Sequence, residues 1–119
     1  MILNVYGKKL KECSLNPVTG YNRDGYCNLI KNDRGTHLVC AIMTKDFLNF
    51  TYNQGNDLIS PRNNFPGLKP GDKWCLCVLR WKEAYMNGVA PFVDLDRTHI
   101  NVLKYVNLNT LKMFSIKSN

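Results

Sequence analysis

The chain has 119 residues, 45% hydrophobic and 21% charged, with a formal net charge of +7. That length and balance describe one domain able to bury an ordinary core, and they exclude a disordered chain. The only apolar run at the start, MILNVY, is short and followed by basic residues, so neither a membrane span nor a secretory leader is read, and the expected protein is soluble and cytoplasmic.

In chain order, Met1 to Tyr6 predicts a short strand closed by a turn at Gly7. Residues 9–35 lack periodicity and are dense in Asn, Gly, Pro and Asp, which predicts a long loop. Cys13 and Cys27 sit near its ends, and Arg23-Asp24-Gly25 forms its turn. His37 to Met43 reads as a buried strand bounded by Gly35 and Thr44. Thr44 caps a helix over Lys45 to Asn53, with Asp46 in its first turn and Gly55 as its stop. A second loop runs from Asn56 to Asp72, where three prolines and two glycines exclude regular structure. Trp74 to Leu79 is the next strand and Arg80 to Asn87 the next helix. Pro91 opens a strand over Phe92 to Leu95. Asp96 or Thr98 caps a helix across Ile100, Leu103 and Val106, and a last helix covers Leu108 to Phe114. The fold class is α+β: a single compact domain, 1–119, with a small mixed sheet, three to four short helices and two long ordered loops.

Five cysteines carry most of the chemical interest. The odd count without a secretory signal argues against a disulfide framework. Cys75 and Cys77 share one strand face with Cα atoms roughly 6.5 Å apart, near the upper limit for a disulfide, so no bond between them is expected. Two thiolates on one face could instead serve a metal ion, or simply pack as small hydrophobes. His37 and Cys40, three apart in a strand, face opposite sides unless His37 lies in the preceding loop. A tetrahedral site for zinc or iron would need three or four of Cys13, Cys27, His37, Cys40, Cys75 and Cys77 to converge, and no C-x2-C pair advertises it.

A catalytic cysteine is the rival. Cys27 stands on a loop near Arg23 and Asp24, where a guanidinium would favour the thiolate, and His99 at a helix start could act as base. Its plain counterpart is a structural thiol and a capping histidine. Asn56, Asp57, Arg62 and Arg80 lie in or beside the long loops and make a ligand-binding cleft between them a fair reading; they could equally cap turns, with Arg80 pairing Glu83. No phosphate-binding loop, nucleophile elbow, zinc-protease or dinucleotide motif is present. A binding protein and a thiol- or metal-dependent enzyme are both compatible with this set.

The charge is uneven. Residues 1–34 hold six Lys/Arg against three acids, residues 35–96 six against six, and Arg97 to the end four against none. The central stretch is therefore neutral and the termini basic. The alternative function is a non-enzymatic interaction module whose basic termini contact nucleic acid or acidic protein surfaces, although no finger, RNA-recognition or helix-turn-helix pattern supports it.

Cys13, TGYNRDGYC (19–27), HLVCA (37–41), GNDL (55–58), FPGLKPGDKWCLC (65–77), RWKEA (80–84), GVAP (88–91) and His99 occur in order over nearly the whole chain. In these motifs the sequence resembles the family catalogued as domain of unknown function 2237. The resemblance implies a small stand-alone protein found mostly in bacteria; it implies no activity and carries over no catalytic residues. The leading expectation is a thiol-lined site, for a metal ion or a small ligand, between the loop 13–35 and the segment 55–77.

Overall fold

The run His37–Ile42 buries every residue between its half-buried ends, as a strand covered on both faces must. It is β1, the middle strand of a three-stranded sheet ordered β2–β1–β3, with β2 at Lys73–Cys77 and β3 at Phe92–Val93. Both pairings are antiparallel, so the α+β class holds with a sheet that is antiparallel rather than mixed. The computed structural model describes residues 1–34 and 36–116; the Gly35 turn and the Lys117 part of the basic tail lie outside the described residues.

Helix α1 occupies Lys45–Asn53, the range its spacing predicts. Thr44 Oγ1 accepts the Phe47 N–H at 3.1 Å, satisfying one of the orphan donors of the first turn, and Phe47, Leu48 and Thr51 point inward. Helix α2 runs over Val78–Met86, two residues earlier than expected, and β2 stops at Cys77 instead of Leu79. The apolar run could have served either element. Val78, Trp81 and Ala84 recur at helical spacing and all are buried, whereas Leu79 is 58% exposed.

The expected strand over Met1 to Tyr6 is only a pair of isolated bridges, Leu3 with Lys9 and Asn4 with His99. Asn4 explains this. Its buried side chain accepts the Tyr6 and Lys8 N–H groups at 2.9 and 3.2 Å and donates to Asp96 O at 3.0 Å, folding the chain back before a strand can extend. Beyond β3 come short 3-10 turns at Leu95–Arg97 and Ile100–Lys104, the second capped by His99 and not by Asp96 or Thr98. Helix α3, Leu108–Lys112, is capped by Asn107 and ends before Phe114.

The sheet separates two interiors. On one face Val39, Ala41, Trp74, Leu76 and Val93 join Phe47, Trp81, Val102 and Leu111 in the main core. Trp81, fully buried, stacks on Tyr85, meets Phe114 edge-on and donates its indole N–H to Pro91 O at 3.1 Å. Cys13, Cys27, Cys40 and Cys75 form a separate buried group, in which the first long loop meets the strands.

Candidate functional site

Cys40 on β1 and Cys75 on β2 stand directly opposite each other. Their N–H groups turn outward, Cys40's to Thr98 Oγ1 at 3.1 Å and Cys75's to Thr19 Oγ1 at 2.8 Å. This is a non-hydrogen-bonded pair, the kind whose side chains come closest. Each sulfur is nevertheless bonded to a loop cysteine, giving the disulfides Cys13–Cys40 and Cys27–Cys75. The disulfide framework that the odd count argued against is therefore present. The partners lie 27 and 48 residues apart, a separation no local spacing displays, and the odd cysteine is Cys77, which stays free. The two bonds fasten the ends of the loop 13–27 onto neighbouring strands, which accounts for an ordered segment without regular structure.

Beside this cluster, at the outer edge of β2, lies a cavity of about 420 Å³. Gly20, Tyr21 and Arg23 of the first loop form one side, Arg62, Asn63 and Phe65 of the second loop the other, and Trp74, Cys75 and His37 the floor. None of these lining residues is acidic. The Arg23 guanidinium lies 5.0 Å from the Trp74 ring centre, and that of Arg62 4.8 Å from Phe65. Each cation is thus spread over an aromatic face, which holds it in place. Arg62 also has Asp57 at 3.9 Å, at the long end of an ion pair, whereas Arg23 donates to Gly20 O at 2.8 Å. Phe65 meets Trp74 edge-on at 5.2 Å. A smaller space of about 230 Å³ continues past His37, Leu58 and Trp74 to Asn56, Cys77 and Arg80.

The backbone around this cleft is unusual. Arg23, Thr36 and Asn64 are the described non-glycine residues with left-handed φ, at 56°, 47° and 62°. Arg23 lines the cavity; Thr36 and Asn64 adjoin His37 and Phe65. Gly20 and Gly67 hold the same two loops: both have positive φ, and a Cβ would stand 2.6 Å from Tyr26 O at Gly20 and would collide with Ile59 O at Gly67. His37 is fixed by Asp33, whose buried carboxylate takes its Nδ1 at 2.7 Å and its backbone N–H at 3.0 Å. A carboxylate only accepts, so Nδ1 carries the proton and Nε2 is the ring's remaining polar atom.

The other expected residues fall in various places. Of the six metal-ligand candidates, Cys13, Cys27, Cys40 and Cys75 come together; His37 and Cys77 stand apart from them, at the cleft. Cys27, fully buried and bonded to Cys75, has no thiol to offer as nucleophile in this state. Arg23 reaches the cleft, whereas Asp24 accepts the Tyr26 N–H at 3.0 Å within its own turn. His99 is occupied beside β1: its backbone N–H donates to Leu38 O at 3.0 Å, its Nδ1 accepts the Asn101 N–H at 3.0 Å, and burial pushes its pKa below the ordinary value. Arg62, Asn56 and Arg80 face the cleft, Arg80 while paired with Glu83 at 3.2 Å. Asp57 instead closes a turn. The Ser60 N–H, with that of Ile59, holds its carboxyl below the usual carboxylate value. Tyr21, Asn63, Phe65 and Trp74 were not singled out as ligand residues; the aromatic density of FPGLKPGDKW was the available signal.

These features define a small α+β protein with a disulfide-stitched sulfur cluster beneath an arginine- and aromatic-lined cleft. The chain belongs to the family described as "uncharacterized protein conserved in bacteria (DUF2237)", whose profile matches residues 3–115. No curated protein matches it. Among the described residues, no helix is long and apolar enough to cross a membrane.

Proposed function

We propose that this is a binding protein for a small anionic ligand with a flat apolar part, such as an aromatic carboxylate, held in the cleft between the two long loops. The observation that carries this reading is the cavity of about 420 Å³ lined by Arg23, Arg62 and His37 among Tyr21, Phe65 and Trp74, with no acid in its lining. That volume falls in the range of small-molecule sites, which are apolar with a few convergent polar groups. The anionic end would meet the guanidinium groups, which present forked donors suited to carboxylate or phosphate, while the flat part would lie along the rings. Left-handed backbone at Arg23, Thr36 and Asn64 supports the reading, since such conformations persist where surrounding structure enforces them and gather at ligand clamps. The compartment we propose is the cytoplasm, where disulfides are transient and redox-sensing rather than permanent.

The test is a fluorescence titration in which Trp74 reports occupancy and the buried Trp81 supplies a constant background. Benzoate, 4-hydroxybenzoate and inorganic phosphate serve as probes. An aromatic carboxylate is expected to change the Trp74 signal saturably, and Arg23→Ala with Arg62→Ala to weaken binding at least tenfold. Absence of any response to all three probes, or binding indifferent to both arginines, overturns the reading. Salt-sensitive retention on nucleic acid without any cleft ligand would favour the basic termini instead.

A further inference from the structure

We infer that Cys13, Cys27, Cys40 and Cys75 form a redox-gated site for a thiophilic divalent cation of the zinc class, closed to metal while the two disulfides stand and formed as a four-thiolate site when they are reduced. This goes beyond the cleft reading and stands without it. The first ground is convergence. The sulfurs of Cys13, Cys27 and Cys75 lie within 4.8 Å of one another, and the fourth, Cys40, is bonded to Cys13. A tetrahedral ion with zinc–sulfur bonds of about 2.3 Å needs its sulfurs about 3.8 Å apart. Opening the two bonds therefore leaves three sulfurs already within 4.8 Å of one another, with Cys40 beside Cys13 as the fourth to be drawn in.

The second ground is that hydrogen bonds, and not sulfur alone, hold the scaffold around the cluster. Cys40 and Cys75 are register partners in the sheet, and their N–H groups are taken by Thr98 and Thr19. The Cys13 N–H donates to Gly25 O at 2.7 Å, and the Gly25 N–H to Thr19 O at 2.8 Å, which ties the turn before Cys27 to the same point. Thr98 in turn donates to Asp94 O at 2.9 Å. The third ground is enclosure. All four cysteines are at most 5% exposed, so the reduced thiols would sit largely out of water, with Cys75 alone reaching the floor of the cleft. The site draws two ligands from the sheet and two from the loop, so an ion would take over the fastening that the disulfides provide.

The chemistry balances with a dithiol reductant. Each protein disulfide accepts two electrons and two protons from a dithiol, which becomes a disulfide, and the cluster then holds four thiols. Binding the divalent ion displaces their protons to solvent, and no further oxidant or reductant is needed. The two states exclude each other because a sulfur in a disulfide is not a thiolate donor.

The experiment reduces the full chain anaerobically with tris(2-carboxyethyl)phosphine, which delivers the same electrons, in the presence and absence of zinc. Bound metal is counted after desalting, and far-UV circular dichroism is recorded. Expected are one zinc per reduced chain, none per oxidised chain, full retention in Cys77→Ser, and loss of at least tenfold in affinity in Cys13→Ser and Cys75→Ser. Cobalt(II) should give a thiolate charge-transfer band of tetrahedral type. The inference is overturned if the reduced chain, folded, takes up no zinc, if the oxidised chain takes up as much, or if Cys77→Ser abolishes uptake. It is equally overturned if the reduced chain unfolds and zinc fails to restore the native spectrum. Arg23→Ala should leave zinc uptake unchanged, so failure here and failure of the cleft reading are told apart.

Discussion

Asp33 grips His37 at two points, its Oδ1 on the ring Nδ1 at 2.7 Å and its Oδ2 on the backbone N–H at 3.0 Å. The carboxylate side chain is 2% exposed and the imidazole 37%, so the acid is the buried anchor and the ring the part that reaches the cleft. Asp33→Ala removes both bonds and leaves a strand N–H without its acceptor. The expected cost is about 2–3 kcal/mol, read as a shift in urea midpoint, together with weaker aromatic-carboxylate binding. Unchanged stability would mean the pair is incidental.

The disulfides close loops between partners 27 and 48 residues apart. On the chain-entropy account, breaking either one without a replacement ion should cost about 3–4 kcal/mol. Cys13→Ser and Cys75→Ser, each unfolded in urea with a chelator present, test this. The long separation of Cys27–Cys75 predicts the slightly larger loss, with a larger m-value in both variants, because the unfolded chain expands once a crosslink is gone.

Cys77 is the free cysteine, half-buried at the junction of β2 and α2. Native oxidised protein should release one equivalent of chromophore from an aromatic disulfide reagent, Cys77→Ser none, and denatured oxidised protein still one. More than one equivalent from the native form would show that the two bonds are not both in place.

His99 predicts a pH dependence. Burial lowers its pKa in the folded chain below the ordinary 6.5, so the unfolded chain binds the proton more readily. Stability from this group is fully present above pH 6.5 and is lost as pH falls from there through the lowered folded pKa. The urea midpoint should therefore drop between pH 7.5 and 5.5, and His99→Asn, which keeps a side-chain acceptor for the cap, should show a smaller drop. An equal drop in the variant would assign the effect elsewhere.

Much of the scaffold was readable from the chain. Thr44 and the inward spacing of Phe47, Leu48 and Thr51 define α1 without help from distant residues, and Gly35 to Thr44 brackets an apolar run of strand length. The misplaced boundary at Cys77 has a local cause, since Val78 and Leu79 suit either element and only the burial of Trp81 decides between them. The lost strand at Met1–Tyr6 has another: Asn4 spends its side chain on backbone groups that a ladder would need. The site was legible as residue types but not as geometry. Arg23 and Arg62 are 39 positions apart, and what joins them is a pair of loops crossing the edge of β2. The sulfur pairings are likewise properties of the folded topology, in which a strand register sets Cys40 beside Cys75 and the loop delivers their partners from outside.

Thr19, by accepting the Cys75 N–H, covers part of the unpaired margin of the outermost strand. An uncovered margin is a template on which a second chain can add its own strand. The stitched loop is therefore also a guard against self-association, and loosening it without a bound ion would bare that margin, turning a redox event into clumping of the protein.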